Sequence, residues 1–126
     1  MNIKKLIAGS MLSMLMASEM AAADWGDVYY CQMTNSDEIT LEGERTFYKL
    51  GKFQFKLDQT KNAMVSGSTG YFANSVDELT TGMSFPWQEK WYAKNDFAMI
   101  RFTKGKLFYS QVGDGITTIS ADCEKF

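Results

Sequence analysis

Two cysteines, Cys31 and Cys123, constrain this chain more than any other feature of it. Each has only the other as a partner within the chain. A bridge between them ties the first strand-like stretch to the last. A run of consecutive antiparallel strands joined in that way has to curl until its ends meet, as in a closed barrel or a tightly clasped sandwich. Such a bridge requires an oxidising compartment, and the N-terminus gives a reason to expect one. Lys4 and Lys5 precede an apolar, Met-rich run, Leu6–Ala17, and Ala21-Ala22-Ala23 follows as a small-residue cleavage site before Asp24. The apolar run is too short to span a bilayer, which takes roughly 20 residues, and no cysteine sits where a lipid-anchoring signal would need it. The expectation is a cleaved secretory signal over 1–23, a single all-β domain over 24–126, and a periplasmic or secreted, bacterial location. No membrane anchor is expected.

The stretch from Phe97 to Cys123 shows how the curling proceeds. Lys104-Gly105 separates two strand-like runs, Phe97–Thr103 and Lys106–Val112, and Asp114-Gly115 returns the chain into Ile116–Cys123. Two-residue loops at both places set Phe102 against Leu107, Ile100 against Tyr109 and Arg101 against Phe108. They also set Phe108 against Ala121 and Ser110 against Ile119. One face then carries Phe97, Met99, Phe108, Val112, Ile119, Ala121 and Cys123; the other carries Ile100, Phe102, Leu107 and Tyr109. Both faces are apolar, so the second is a barrel interior, a surface under a helix, or an interaction surface. A one-residue slip in the Asp-Gly loop would exchange the faces.

Upstream, Asp27–Thr34 is β-rich and Asn35-Ser36-Asp37 is expected to end it. Glu38–Leu41 and Arg45–Leu50 form a hairpin about Glu42-Gly43, whose acids Asp37, Glu38, Glu42 and Glu44 read as a solvated tip. Lys52–Asp58 alternates strictly, with Phe53, Phe55 and Leu57 on one face. A polar turn leads to Ala63–Ser66, and Gly67–Gly70 reads as a connector. Ser75-Val76-Asp77-Glu78 fits a capping box with Gly82 as a stop, predicting one short helix near 75–81. Gln88–Lys94 pairs with Phe97–Thr103 and places Trp91 opposite Ile100. The fold class is an all-β antiparallel meander of seven or eight strands, as a small barrel or sandwich.

The chain has no histidine and a net charge of −2. The first removes the commonest general base, the usual serine triad and ordinary zinc sites. The second leaves no electrostatic reason to bind nucleic acid. With both cysteines in a bridge, thiol catalysis goes too, and no phosphate loop or other cofactor motif is present. What remains for an enzyme is a glycosidase-like carboxyl pair among Glu89, Asp96 and Asp114. The aromatic residues Trp87, Trp91, Tyr92, Tyr71 and Tyr109 are the candidate binding residues, as core filling or as a platform for an apolar or sugar ligand.

Tyr29 and Cys31, Ser66-Gly67 before Tyr71, the Lys104-Gly105 turn and the late Cys123 resemble the order of features in small periplasmic β-barrel inhibitors of lysozyme. The resemblance departs at the Ser-Gly-x-x-Tyr motif, where one extra residue intervenes, and in the longer distance from Tyr71 to Lys104. It carries no functional residues over. The expected function is an exported, non-enzymatic binding module for a small apolar or sugar ligand or another exported protein. Inhibition of a cell-wall hydrolase and carboxylate-dependent glycoside hydrolysis are the alternatives.

Overall fold

The computed structural model describes residues 22–80, 90–94 and 96–126. These form nine strands: β1 (Val28–Ile39), β2 (Arg45–Phe47), β3 (Lys52–Asp58), β4 (Ala63–Gly70), β5 (Val76–Glu78), β6 (Trp91–Lys94), β7 (Ala98–Thr103), β8 (Lys106–Val112) and β9 (Ile116–Lys125). One antiparallel sheet contains them all, in the order β5-β4-β3-β1-β9-β8-β7-β6, with β2 attached to β1. From β3 onwards each strand neighbours the next, and β9 returns to β1. The ends of the sheet meet where Leu79 bridges Ala93 and the Thr80 N–H donates to the Tyr92 carbonyl at 2.8 Å. The result is a nearly closed eight-stranded barrel with β2 as an outlying arm.

Cys31 and Cys123 stand directly opposite one another in the β1–β9 ladder, with sulfurs 2.12 Å apart. The disulfide therefore staples the seam that closes the meander. A crosslink across 92 residues removes about 4.5 kcal/mol of unfolded-chain entropy in the loop-closure model.

The short helix expected near 75–81 is absent from the described residues; residue 81 lies outside them. Val76–Glu78 instead pairs with Ala63–Val65. The Ser75 hydroxyl bonds to the Ser66 hydroxyl at 2.9 Å rather than capping a turn. So short a helix has little stability of its own, while a strand here fills the last gap in the barrel wall. The supposed connector Gly67–Gly70 is likewise strand, the second half of β4. Nor does Asn35-Ser36-Asp37 break β1. The strand absorbs one extra residue between Met33 and Asn35 and continues to Ile39, with β9 on one side and β2 on the other. A bulge of this kind bends the strand and re-aims its side chains. The Glu42-Gly43 hairpin forms as expected, Thr40 and Glu44 being bonded across it.

The β7–β8 pairings are those expected, from Phe102↔Leu107 to Ile100↔Tyr109. Lys104 and Gly105 both hold positive φ, 50° and 77°, as a two-residue hairpin turn with matching twist requires. In β8–β9 the loop is Gly113-Asp114-Gly115, one residue longer than expected. Leu107 therefore pairs with Ala121, Phe108 with Ser120 and Tyr109 with Ile119. That single residue sorts the faces. Ile100, Phe102, Leu107, Ile119, Ala121 and Cys123 now all point inward and are buried, while Met99, Phe108 and Val112 are exposed.

The interior is a packed aromatic core. Tyr29, Phe55 and Phe102 have ring centroids 4.7–5.5 Å apart. Trp91 is fully buried; it pairs with Phe102 rather than Ile100, a two-residue shift that keeps it on the inward face. Trp25 meets Trp91 edge-on at 5.0 Å. The turn that carries Trp25 is held to β3 by the Gly26 N–H donating to the Leu57 carbonyl at 2.7 Å. Ala23 joins the same core.

Two substitutions test this arrangement. Trp91→Ala should cost about 3–5 kcal/mol by emptying the middle of the core, read as a shifted urea midpoint; an unshifted midpoint would place Trp91 outside it. Gly115 does not need positive φ, but a Cβ there would lie 2.4 Å from the Ile39 carbonyl oxygen. Gly115→Ala should therefore destabilise by roughly 1–3 kcal/mol through collision with β1. A neutral melting curve would show that the β8–β9 loop does not press on β1.

Candidate functional site

The expected binding aromatics do not form one site. Trp91 is core, and Trp87 lies outside the described residues. Tyr71 is exposed on the β4–β5 turn and stacks edge-on against Phe72 at 4.8 Å, and Phe72 reaches the half-buried Tyr109 at 4.9 Å. These rings, with Asp77, close one mouth of the barrel. Burial raises the Asp77 carboxyl above its usual range, opposed by a hydrogen bond from Ser75. Burial, then the neighbouring Tyr71 and Asp77, likewise raises the Tyr109 phenol. The space enclosed by Phe53, Met64, Phe72, Asp77 and Leu107 is about 10 Å³, room for a water at most. The mouth is packing, and the barrel holds no ligand chamber there.

A broad concavity lies outside, on the wall made by β6, β7, β8, β9 and the bulged part of β1. It is a groove of about 470 Å³. Strand register orders the outward residues of this wall into two adjacent rungs. One runs Tyr92, Arg101, Phe108, Ser120, Asn35; the other runs Lys94, Met99, Ser110, Thr118, Asp37. Met99 and Phe108 remain 51% and 47% exposed, so the centre of the groove is apolar surface in contact with solvent. Hydroxyls and an amide line the β9–β1 side, and Arg101 lines the β6–β7 side, with Lys94 on the same outer face beyond the lining. Tyr92 and Tyr109 are the expected binding aromatics that line it.

The β1 rim is held by Asp37, one of the acids expected at a solvated tip. It is instead only 4% exposed. Arg45 Nε donates to its Oδ2 at 2.7 Å, Asn35 Nδ2 to its Oδ1 at 3.1 Å, and the Thr118 hydroxyl to the same Oδ1. These bonds, led by Thr118, hold the carboxyl below its usual range against the opposing effect of burial. Asp37 thereby orients two groove-lining groups, Asn35 and Thr118. The arm beyond it is open: Leu41 and Phe47 are exposed, with the Arg45 guanidinium 4.9 Å over the Phe47 ring.

A second outer depression of about 320 Å³ lies over β3, β1 and β9, lined by Tyr30, Gln32, Lys52, Asp122 and Glu124. It mixes both signs of charge, and Lys106 pairs with Asp122 at its edge at 2.5 Å. Asp96 and Asp114, two of the three carboxylates considered for glycoside hydrolysis, sit exposed in separate loops at the same end of the barrel. Glu89 lies outside the described residues. Among the described residues no group of histidine, cysteine or acidic side chains is placed to hold a metal ion.

The residues of the inhibitor resemblance are divided by the topology. Strand direction puts Tyr71, after β4, at the barrel end that carries the β8–β9 loop. The Lys104-Gly105 turn is at the other end, beside Cys123, whose N–H donates to the Gly105 carbonyl. Comparison with protein-family models, with curated proteins and with solved structures finds no match for the chain. The outer groove could not be found by reading for aromatic residues in loops. Its signal was the exposed set Met99, Phe108 and Val112, which required the correct β8–β9 register to assign.

Asp37→Asn should loosen this rim. Because the folded carboxyl titrates lower than the unfolded one, its stabilisation is complete above the ordinary Asp value of about 3.9 and is lost as pH falls through the lower folded value. The melting-temperature gap between the native protein and the variant should therefore hold constant at neutral pH and close only in strong acid. A gap that closes already near neutrality would contradict the Arg45 and Thr118 bonding.

Proposed function

We propose that this protein is an exported, disulfide-clasped binding module without enzymatic activity, and that it binds through the outer groove of β6–β9. The observation that carries the reading is the contrast between the two faces of one wall. The inward face is packed, and the mouth beside it leaves about 10 Å³. The outward face forms a groove of about 470 Å³ with solvent-exposed Met99 and Phe108 at its centre, within the usual range of roughly 300–1,000 Å³ for small-molecule sites. Export is supported by the basic and apolar pattern ahead of Asp24 and by the crosslink, which persists in oxidising compartments.

Two measurements test this. The intact mass of the protein recovered from outside the cytoplasm should be two hydrogens below that of the reduced chain, with a new N-terminus at Ala22, Ala23 or Asp24. Full-length chain with two alkylatable thiols would overturn export. Phenylnaphthylamine, a neutral apolar fluorophore, should brighten on binding the native protein. Phe108→Gln should weaken that binding several-fold with an unchanged melting temperature, since Phe108 is on the outer face. Equal binding by the variant, or none by either protein, would overturn the groove as the site.

A further inference from the structure

Groove binding by an apolar body leaves one feature unexplained, the distribution of charge around the Met99–Phe108 centre. Arg101 lies between Tyr92 and Phe108 in its rung. Lys94 lies beside Met99 in the next. Neither cation makes an ion pair among the described residues, whereas Arg45, Lys106 and Lys125 all do. Asp37 is the one carboxylate that the two rungs contain, and Arg45, Asn35 and Thr118 already occupy its oxygens. On a chain of net charge −2, the groove therefore has a positive side that no ion pair among the described residues balances.

Resting on the groove reading above, we propose that the groove selects small amphiphilic anions, with an apolar ring or short acyl body and one carboxylate or sulfonate head. The body lies on Met99 and Phe108, and the head meets the Arg101 guanidinium, with Lys94 adding to the field. A guanidinium presents a planar fork of donors that suits such a head better than a point charge. From Arg101 on β7 to Ser120 on β9 is two strand spacings, roughly 10 Å, which matches a fused two-ring body. The Ser110, Thr118 and Ser120 hydroxyls on the far side accept or donate to whatever polar group the body carries, so they tune selection without setting its charge.

The test compares two fluorophores with the same rings, neutral phenylnaphthylamine and anilinonaphthalene sulfonate, on the full exported chain. The sulfonate should bind about tenfold tighter, and the difference should shrink as ionic strength rises. Arg101→Gln should bring the two affinities to parity; Lys94→Gln should narrow the gap by less. Parity in the native protein, or a sulfonate preference that survives Arg101→Gln, overturns anion selection and leaves the groove intact. Failure of both fluorophores to bind overturns the groove itself. Arg101-dependent adsorption to anionic lipid vesicles, with no preference between the free fluorophores, would overturn the small-molecule assignment in favour of a membrane surface.

Discussion

Everything in this molecule depends on the pairing of β1 with β9. An antiparallel meander has two edges, and each unpaired edge presents a row of amide and carbonyl groups that other chains can pair with. Here the first strand and the last consume each other's edge along ten paired positions, from Tyr29↔Lys125 to Ile39↔Ile116. The Cys31–Cys123 bridge fixes that long-range contact, which is otherwise the most expensive in chain entropy. With the seam set, the interior defines itself: Cys31 faces Cys123 and Met33 faces Ala121 across the ladder, and with Tyr29 and Ile119 on the same inward face all are buried. Among the described residues the β5–β6 junction is closed by less, the Leu79–Ala93 bridge and the Thr80–Tyr92 hydrogen bond.

The seam also explains why the proposed binding surface lies outside. An eight-stranded barrel has an interior just wide enough for side chains to fill or to hold one small ligand. The large rings contributed by Tyr29, Phe55, Trp91 and Phe102 take the first option. β1 and β9 run on past the β3 pairing, with β2 taking β3's place beyond the bulge. This widens the wall on one side and produces the concavity over β6–β9. The bulge at Thr34 thus serves two ends. It keeps Met33 in the core, and it turns Asn35 and Asp37 outward to form the rim.

Much of this was legible in the residues themselves. Strict alternation identified β3 to the residue, Lys104-Gly105 fixed the β7–β8 register, and the cysteines identified the seam. What was not legible has a common cause: in each case long-range pairing overrode a local signal. Ser75 and Glu78 have the spacing of a helix start, but the sheet needed a strand at β5. Asn35-Ser36-Asp37 has the composition of a turn, but Arg45 and Thr118 satisfy Asp37 within a strand. The β8–β9 loop carries two glycines, Gly113 and Gly115, and only the fit against the Ile39 carbonyl decides which residues are loop and which are ladder. The candidate aromatics stand out for their place in or beside loops, whereas the groove depends on which face of β7 and β8 is outward, and an error of one residue in the β8–β9 register exchanges those faces.

The exchange of faces bears on how the groove is kept. A β-strand cannot change what it shows to solvent without also changing what it buries, since alternate residues serve opposite faces. Met99 and Phe108 are flanked along their strands by Ala98, Ile100 and Leu107, all buried. Register here is specified by the core side, where volume and shape have to match, and not by the exposed side. The outer face is therefore free to carry any residues that the β-structure tolerates, and polar ones would cost the fold nothing. That this wall shows methionine, phenylalanine and two cations without an ion pair among the described residues, in place of alternating charges, is a property the fold does not require. The proposed amphiphilic anion would cover that apolar centre and supply the negative charge.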